Sequence, residues 1–231
     1  MMGASRMAAD IQIQKPSPVA DAVKARLVDV IRFLHARNWT PATSSNFSCK
    51  SEPAAEHFFI SCSGLDKGLL TPDDFLEVDA QGSLVLSPRE GLRPSAETLL
   101  HALVYRLYPG TGAVLHTHSV NGTVLSKLYE TQGGLWLQDF EILKGFEGIK
   151  THEVRVWVPI FSNMQDMQAL SRIVQAELAR WAPCYGFLLV GHGLYAWGET
   201  PEQAKRHLEV FEFLFEAILK LKSHGYPDYS G

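Results

Sequence analysis

Apolar positions along this chain fall into blocks whose spacing switches between helical and strand-like. After Ser17 and Pro18, a serine cap with proline at the first helical position, Val23, Leu27, Val30, Ile31 and Leu34 recur at helical intervals and predict a helix up to Asn38. The polar stretch from Pro41 to Ser48 lacks periodicity and reads as a loop. Phe58 to Ile60 form a short strand, and the runs 76–79 and 83–86 flank Ala80, Gln81 and Gly82 as a hairpin. A helix from Ser95 to Tyr108 then leads into an apolar strand, Gly112 to Leu115, and a second helix follows over 120–128.

The second half repeats the alternation. Val154 to Val158 is a strand, and Met164, Met167, Leu170, Val174, Leu178 and Trp181 mark one face of a helix. Strands at 187–190 and 194–197 precede a last helix, opened by a capping box from Thr200 to Gln203 and stopped near Gly225. Its stripe Ala204, Leu208, Phe211, Phe215 and Ile218, widened by Leu214 and Leu221, is core packing with room for a subunit contact. No repeat, linker or low-complexity tract divides the chain, so residues 17–231 are expected to form one α/β domain with a mixed or antiparallel sheet. Residues 1–16 are expected to be a flexible leading segment.

Composition narrows the function classes. With 46% hydrophobic residues in 231 the chain can bury a substantial core, and a net charge of −4 without a basic run argues against nucleic acid. No apolar stretch reaches the length of a membrane span, and Met1 to Gln14 lack the apolar region of a secretory signal. Three cysteines, Cys49, Cys62 and Cys184, form no paired motif and suit a reducing, cytoplasmic setting.

The chemistry gathers around three histidines. His116 and His118 close the apolar run beginning at Gly112; on a strand, side chains two apart leave the same face. His192 follows a second apolar run, between Gly191 and Gly193. Three neutral imidazoles at strand ends form the ligand set of an open Zn2+ site, although such histidines also occur as ordinary core residues and iron or manganese suit the same donors. Two carboxylates compete for acid–base work. Glu97 is a first-turn helix residue that could do no more than face the helix dipole. Glu141 has apolar neighbours Phe140, Ile142 and Leu143, which should desolvate it and raise its pKa. Two polar turns, one with Ser45 and Asn46 and the other with Ser63 and Gly64, can cradle a phosphate with Lys67 nearby, or be ordinary turn chemistry.

These segments together resemble the class II aldolase/adducin family: His116 to Ser119, Gly191 to Gly193 with Tyr195 to Gly198, Ser45 to Ser48, and Ser63 with Gly64, across about Ala20 to Ser223. The stretch from Glu141 to Gly145 is most like the sugar-phosphate dehydratases of that family. The resemblance implies a three-layer α/β/α domain around a central, largely antiparallel sheet, commonly assembled as a homotetramer. It implies zinc on His116, His118 and His192, and a small sugar phosphate as substrate. In the dehydratases the residue matching Glu141 is the expected acid/base; in the aldolases the residue matching Glu97 takes the proton beside the metal. An aldolase or epimerase activity is the main alternative, and a non-enzymatic adducin-type interaction domain, which needs no metal ligands, is the least favoured reading.

Overall fold

A computed structural model of the chain describes residues 17–181 and 183–226. The leading segment 1–16 lies outside the described residues. In chain order the elements are α1 (Pro18–Ala36), β1 (Asn46–Cys49), β2 (Phe58–Ser61), β3 (Phe75–Val78), β4 (Leu84–Leu86), α2 (Thr98–Leu107), β5 (Ala113–Thr117) and α3 (Val120–Leu128). They continue with β6 (Gly134–Leu137), a 3-10 turn at Glu141–Gly145, β7 (Val156–Phe161), α4 (Met167–Leu178), β8 (Gly186–Leu189), β9 (Gly193–Gly198) and α5 (Pro201–Ser223).

The nine strands make one sheet in the order β4-β3-β2-β1-β5-β9-β8-β7-β6. Every pairing is antiparallel except β7 with β8. The two-residue pleat sorts side chains between two helical layers. Leu115, Leu194 and Ala196 face one apolar cluster, with Leu27 and Ile31 of α1, Leu125 of α3, and Leu208, Phe211 and Phe215 of α5. Val114, Tyr195 and Trp197, one position along, face the other, with Leu100 and Leu103 of α2 and Leu170 and Val174 of α4. This is the α/β/α sandwich with the largely antiparallel sheet.

Capping matches the expected starts. The Ser17 hydroxyl accepts from the Ala20 N–H, and that of Thr200 from Gln203. The reciprocal half of the Thr200 box is displaced by one residue, because the Gln203 side chain accepts from the Glu199 N–H. Gly82 and Gly225 both adopt positive φ, one in the β3–β4 hairpin and one just past α5. Two strands depart from the expected pattern. β1 begins inside the polar stretch read as a loop and runs one residue past it, and all four of its residues are buried in the interior of the sheet, beside β5. β6 was not anticipated; it covers the edge of β7, which itself begins two residues later than the expected strand. Among the described residues no helix is long and apolar enough to cross a membrane.

Candidate active site

β5 sits between β1 and β9, and its register sets His116 opposite Asn46 on one side and Tyr195 on the other. His118 lies just past the end of β5, on the same face, with its N–H donating to the Trp39 carbonyl at 2.8 Å. His192 comes from the tight turn between β8 and β9. That turn needs both glycines: Gly191 has φ +62°, and a Cβ at Gly193 would lie 2.0 Å from the Thr117 carbonyl oxygen. Two side chains of α3 hold it in place. Thr123 donates to the His192 carbonyl at 3.0 Å, and the Ser126 hydroxyl accepts from the Gly191 N–H at 2.8 Å.

The three imidazoles meet at their Nε2 atoms. His116 Nε2 is 2.8 Å from that of His118 and 3.3 Å from that of His192. His116 donates its Nδ1–H to the Leu194 carbonyl at 3.0 Å, which leaves Nε2 as a lone pair aimed at the meeting point. Burial, reinforced by the neighbouring imidazoles, holds His116 well below the ordinary histidine value and pushes His118 down to about 4. Both rings are therefore neutral donors near pH 7. Convergent lone pairs repel unless a cation lies between them, and the ligand atoms of all three residues fall within 4.8 Å of one another. The donor set fits a divalent metal with nitrogen preference and an open coordination face.

Glu97 sits against this cluster. At the start of α2 its Oε1 is 3.2 Å from His192 Nε2 and its Oε2 is 3.5 Å from His116 Nε2. Asn46 donates to Glu97 Oε2 at 2.6 Å and to the Ser95 hydroxyl at 3.1 Å. Tyr195 lies flat on His116 with ring centroids 4.0 Å apart, and burial beside the Glu97 charge keeps its phenol protonated. His118, His192 and Glu97 open into a cleft of about 440 Å³, with His116 fully buried behind them.

Thr43, Ser44, Ser45, Asn46, Ser63 and Ser95 line one part of the cleft. Ser45 has a positive φ of 75°, and its buried hydroxyl has no protein partner. Ser63 is exposed at the mouth, next to Gly64, which also has positive φ and open space where a side chain would stand. Asn163 and Gln165, from the connection between β7 and α4, and Met167 at the start of α4 also line it. Nothing in the local sequence marks Asn163 and Gln165, whose connection follows β7, the strand paired in parallel with β8.

Two expected residues stand elsewhere. Lys67 is fully buried, and its ammonium donates to the carbonyls of Thr43 at 3.0 Å and Leu65 at 2.7 Å. It braces the two polar turns from behind and is absent from the cleft lining, because the carbonyls of both turns point inward and need a donor. Glu141 is not desolvated as its neighbours suggested. Leu143 turns into the core while Ile142 and Glu141 face outward, the Glu141 side chain 68% exposed. Its carboxylate pairs with Lys144, which lowers its pKa, and lies 3.4 Å from His152. It lines an open surface hollow with Phe140, Lys144 and Phe213, outside the histidine cleft of its own chain.

Residues 25–219 match the family described as Class II Aldolase and Adducin N-terminal domain. The chain is 50% identical over 200 residues to a methylthioribulose-1-phosphate dehydratase of Stenotrophomonas maltophilia, covering 86% of this chain and 91% of that protein. It is 46% identical over 203 residues to one of Pseudomonas syringae pv. syringae, covering 88% and 97%. Among solved structures, an L-fuculose 1-phosphate aldolase superposes with a TM-score of 0.74 at 21% identity, covering 92% and 91% of the two chains. The L-fuculose-1-phosphate aldolase of Thermus thermophilus gives 0.67 at 25% identity, covering 89% and 98%.

Proposed function

The chain belongs to the class II aldolase and adducin N-terminal domain family, and on that premise we propose that it is a zinc-dependent dehydratase. Its substrate is 5-methylthioribulose-1-phosphate and its product 2,3-diketo-5-methylthiopentyl-1-phosphate, a step of methionine salvage. The observation that carries this reading is the meeting of three imidazole Nε2 atoms beside a carboxylate, in a polar cleft. The relatives near 50% identity supply the substrate. His116, His118 and His192 would hold the zinc, which when bound would supply Lewis acidity to the substrate carbonyl.

The remaining work falls to side chains. Glu97, aimed at the histidine cluster, takes the C3 proton as general base. Loss of the C4 hydroxyl as water needs a proton, and the enol left behind ketonises by protonation at C4. Glu141 is assigned that acid role, delivered by a second copy of the chain, because in its own chain it stands outside the cleft. A homotetramer meets that requirement, and exposed Phe213 and Ile142 beside Glu141 give a second copy an apolar footing. The phosphate is assigned to the Ser45 and Ser63 side of the cleft, where the unpartnered Ser45 hydroxyl is a free donor. Three unpaired, buried cysteines fit a cytoplasmic setting.

The test is to incubate the zinc-loaded protein with methylthioribulose-1-phosphate and follow the diketone. Retro-aldol fragments without diketone would move the chain to the aldolase reading, whose proton acceptor is the same Glu97.

A further inference from the structure

A chain of buried hydrogen bonds runs from Glu97 through the sheet and away from the cleft. Asn46 Nδ2 is 2.6 Å from Glu97 Oε2, and Asn46 Oδ1 is 2.5 Å from His101 Nε2. His101 Nδ1 is 2.7 Å from the Ser48 hydroxyl, which is 2.8 Å from the Tyr105 hydroxyl. His101 and Ser48 are completely buried and Asn46 nearly so. The register explains the assembly: Asn46 and Ser48, two apart on β1, share a face, while His101 and Tyr105, four apart, share a face of α2.

The direction of every bond follows from donor and acceptor chemistry. Glu97 as a carboxylate only accepts, so Asn46 presents its NH₂ to it and its carbonyl to His101. A carbonyl only accepts, so His101 must carry its proton on Nε2. Burial pushes the His101 pKa down to about 3, so the ring is neutral and its Nδ1 only accepts. Ser48 therefore donates to Nδ1, which leaves its oxygen to accept from Tyr105. All four bonds point toward Glu97, an arrangement in which each polarises the next.

Resting on the reading of Glu97 as the base, we propose that His101 is a positioning residue: as the Nε2–H tautomer it locks the Asn46 amide so that its NH₂, and not its carbonyl, holds the Glu97 carboxylate against the histidine cluster. If His101 carried its proton on Nδ1, the Asn46 amide would turn over and set its oxygen against the carboxylate. Ser48 and Tyr105 fix the tautomer. None of the three lines the cleft, so their influence on turnover passes through Asn46.

The first experiment reads the relay without turnover. Imidazole nitrogen chemical shifts of His101 by NMR, in metal-free and zinc-loaded protein, should show a neutral Nε2–H ring from pH 5 to 9. A Nδ1–H or charged ring overturns the proposal. The second compares variants. His101→Leu removes the donor and should lower kcat on the order of 10²-fold, as for a small misplacement of a reacting group, with KM and bound zinc near wild type. His101→Gln keeps a planar amide donor toward Asn46 and should recover most of that loss. Wild-type kcat in His101→Leu, or a loss that merely follows zinc content, overturns the role. Should His101→Leu not fold, Ser48→Ala, which frees the tautomer, serves in its place: a fall in kcat with a shifted His101 spectrum supports the relay, and wild-type kcat and spectrum overturn it. A wild-type protein that leaves methylthioribulose-1-phosphate unchanged would sink the substrate reading alone, and the tautomer would still decide the relay.

Discussion

Glu97 and Glu141 are the two carboxylates with a claim on proton transfer, and the fold treats them in opposite ways. Glu97 comes from an unremarkable helix start, yet its side chain is 13% exposed and is held by Asn46 within reach of two histidines. Glu141 comes from an apolar stretch, yet it is 68% exposed and paired with Lys144 on the surface. Burial of a side chain depends on the direction its Cα–Cβ bond takes from the backbone. In the 3-10 turn at Glu141–Gly145 the bonds of Leu143 and Glu141 diverge, so apolar neighbours in sequence are no shield in space. The contrast teaches that local composition reports how much apolar surface a segment has, and tertiary placement reports which residue is covered by it.

The largest effect should come from the cluster that gives Glu97 its meaning. His192→Ala removes one of three donors, and bound zinc and turnover should fall together almost to background. Metal analysis after dialysis is the check; full zinc occupancy in this variant would remove His192 from the ligand set and detach Glu97 from the chemistry. Next come the two glutamates themselves. Glu97→Gln should lower kcat about 10²–10⁴-fold, the usual share of general acid–base catalysis, with zinc retained. Glu141→Gln should fall by a similar order if a second copy supplies it. Unfolding and refolding the two variants together should then restore part of the activity, because hybrid assemblies contain intact sites. A Glu141→Gln protein with wild-type kcat would leave Glu97 as the sole acid–base residue.

A third glutamate sharpens the comparison from the burial side. Glu212 on α5 is 2% exposed, and neither carboxylate oxygen has a hydrogen bond of ordinary geometry. Burial pushes its pKa up to about 7, against the counteracting approach of the Ser119 hydroxyl. The folded state therefore keeps a proton that the unfolded chain releases near pH 4.5. Its contribution to stability is full below that value and is lost as the pH rises to about 7, with a slope of about 1.4 kcal/mol per pH unit. Glu212→Gln should remove this slope, measured by urea unfolding from pH 5 to 8. Parallel pH dependence in variant and wild type would contradict the assignment.

The smallest effect concerns Lys67. Replacing it by Met takes the donor from the part-buried Thr43 and Leu65 carbonyls and should lower stability by about 1 kcal/mol. KM should rise only as the Ser45 and Ser63 turns loosen. Unchanged stability with a large rise in KM would return Lys67 to direct contact with the phosphate.

Much was legible along the chain because it depends on near neighbours. Periodicity and caps located the five helices of the described residues, the β3–β4 hairpin and the strands that lead into the histidines, since each of these buries a face set by its own 3.6- or two-residue repeat. The histidines were legible because their spacing fixes a shared face on any strand, and Gly191 and Gly193 marked a tight turn whatever lay around it. β1 was hidden because Asn46 and Ser48 are polar in the interior of a sheet. Ser95, Glu97, His101 and Tyr105, all some fifty residues away, satisfy them, so the sequence by itself offers no reason to bury them. Tertiary structure alone decided that Glu97 meets the histidines, that Lys67 braces rather than lines the cleft, and that Asn163 and Gln165 reach it. These outcomes depend on strand order and register between distant segments, and burial and hydrogen bonding are properties of what lies across the sheet rather than of what comes next in the chain.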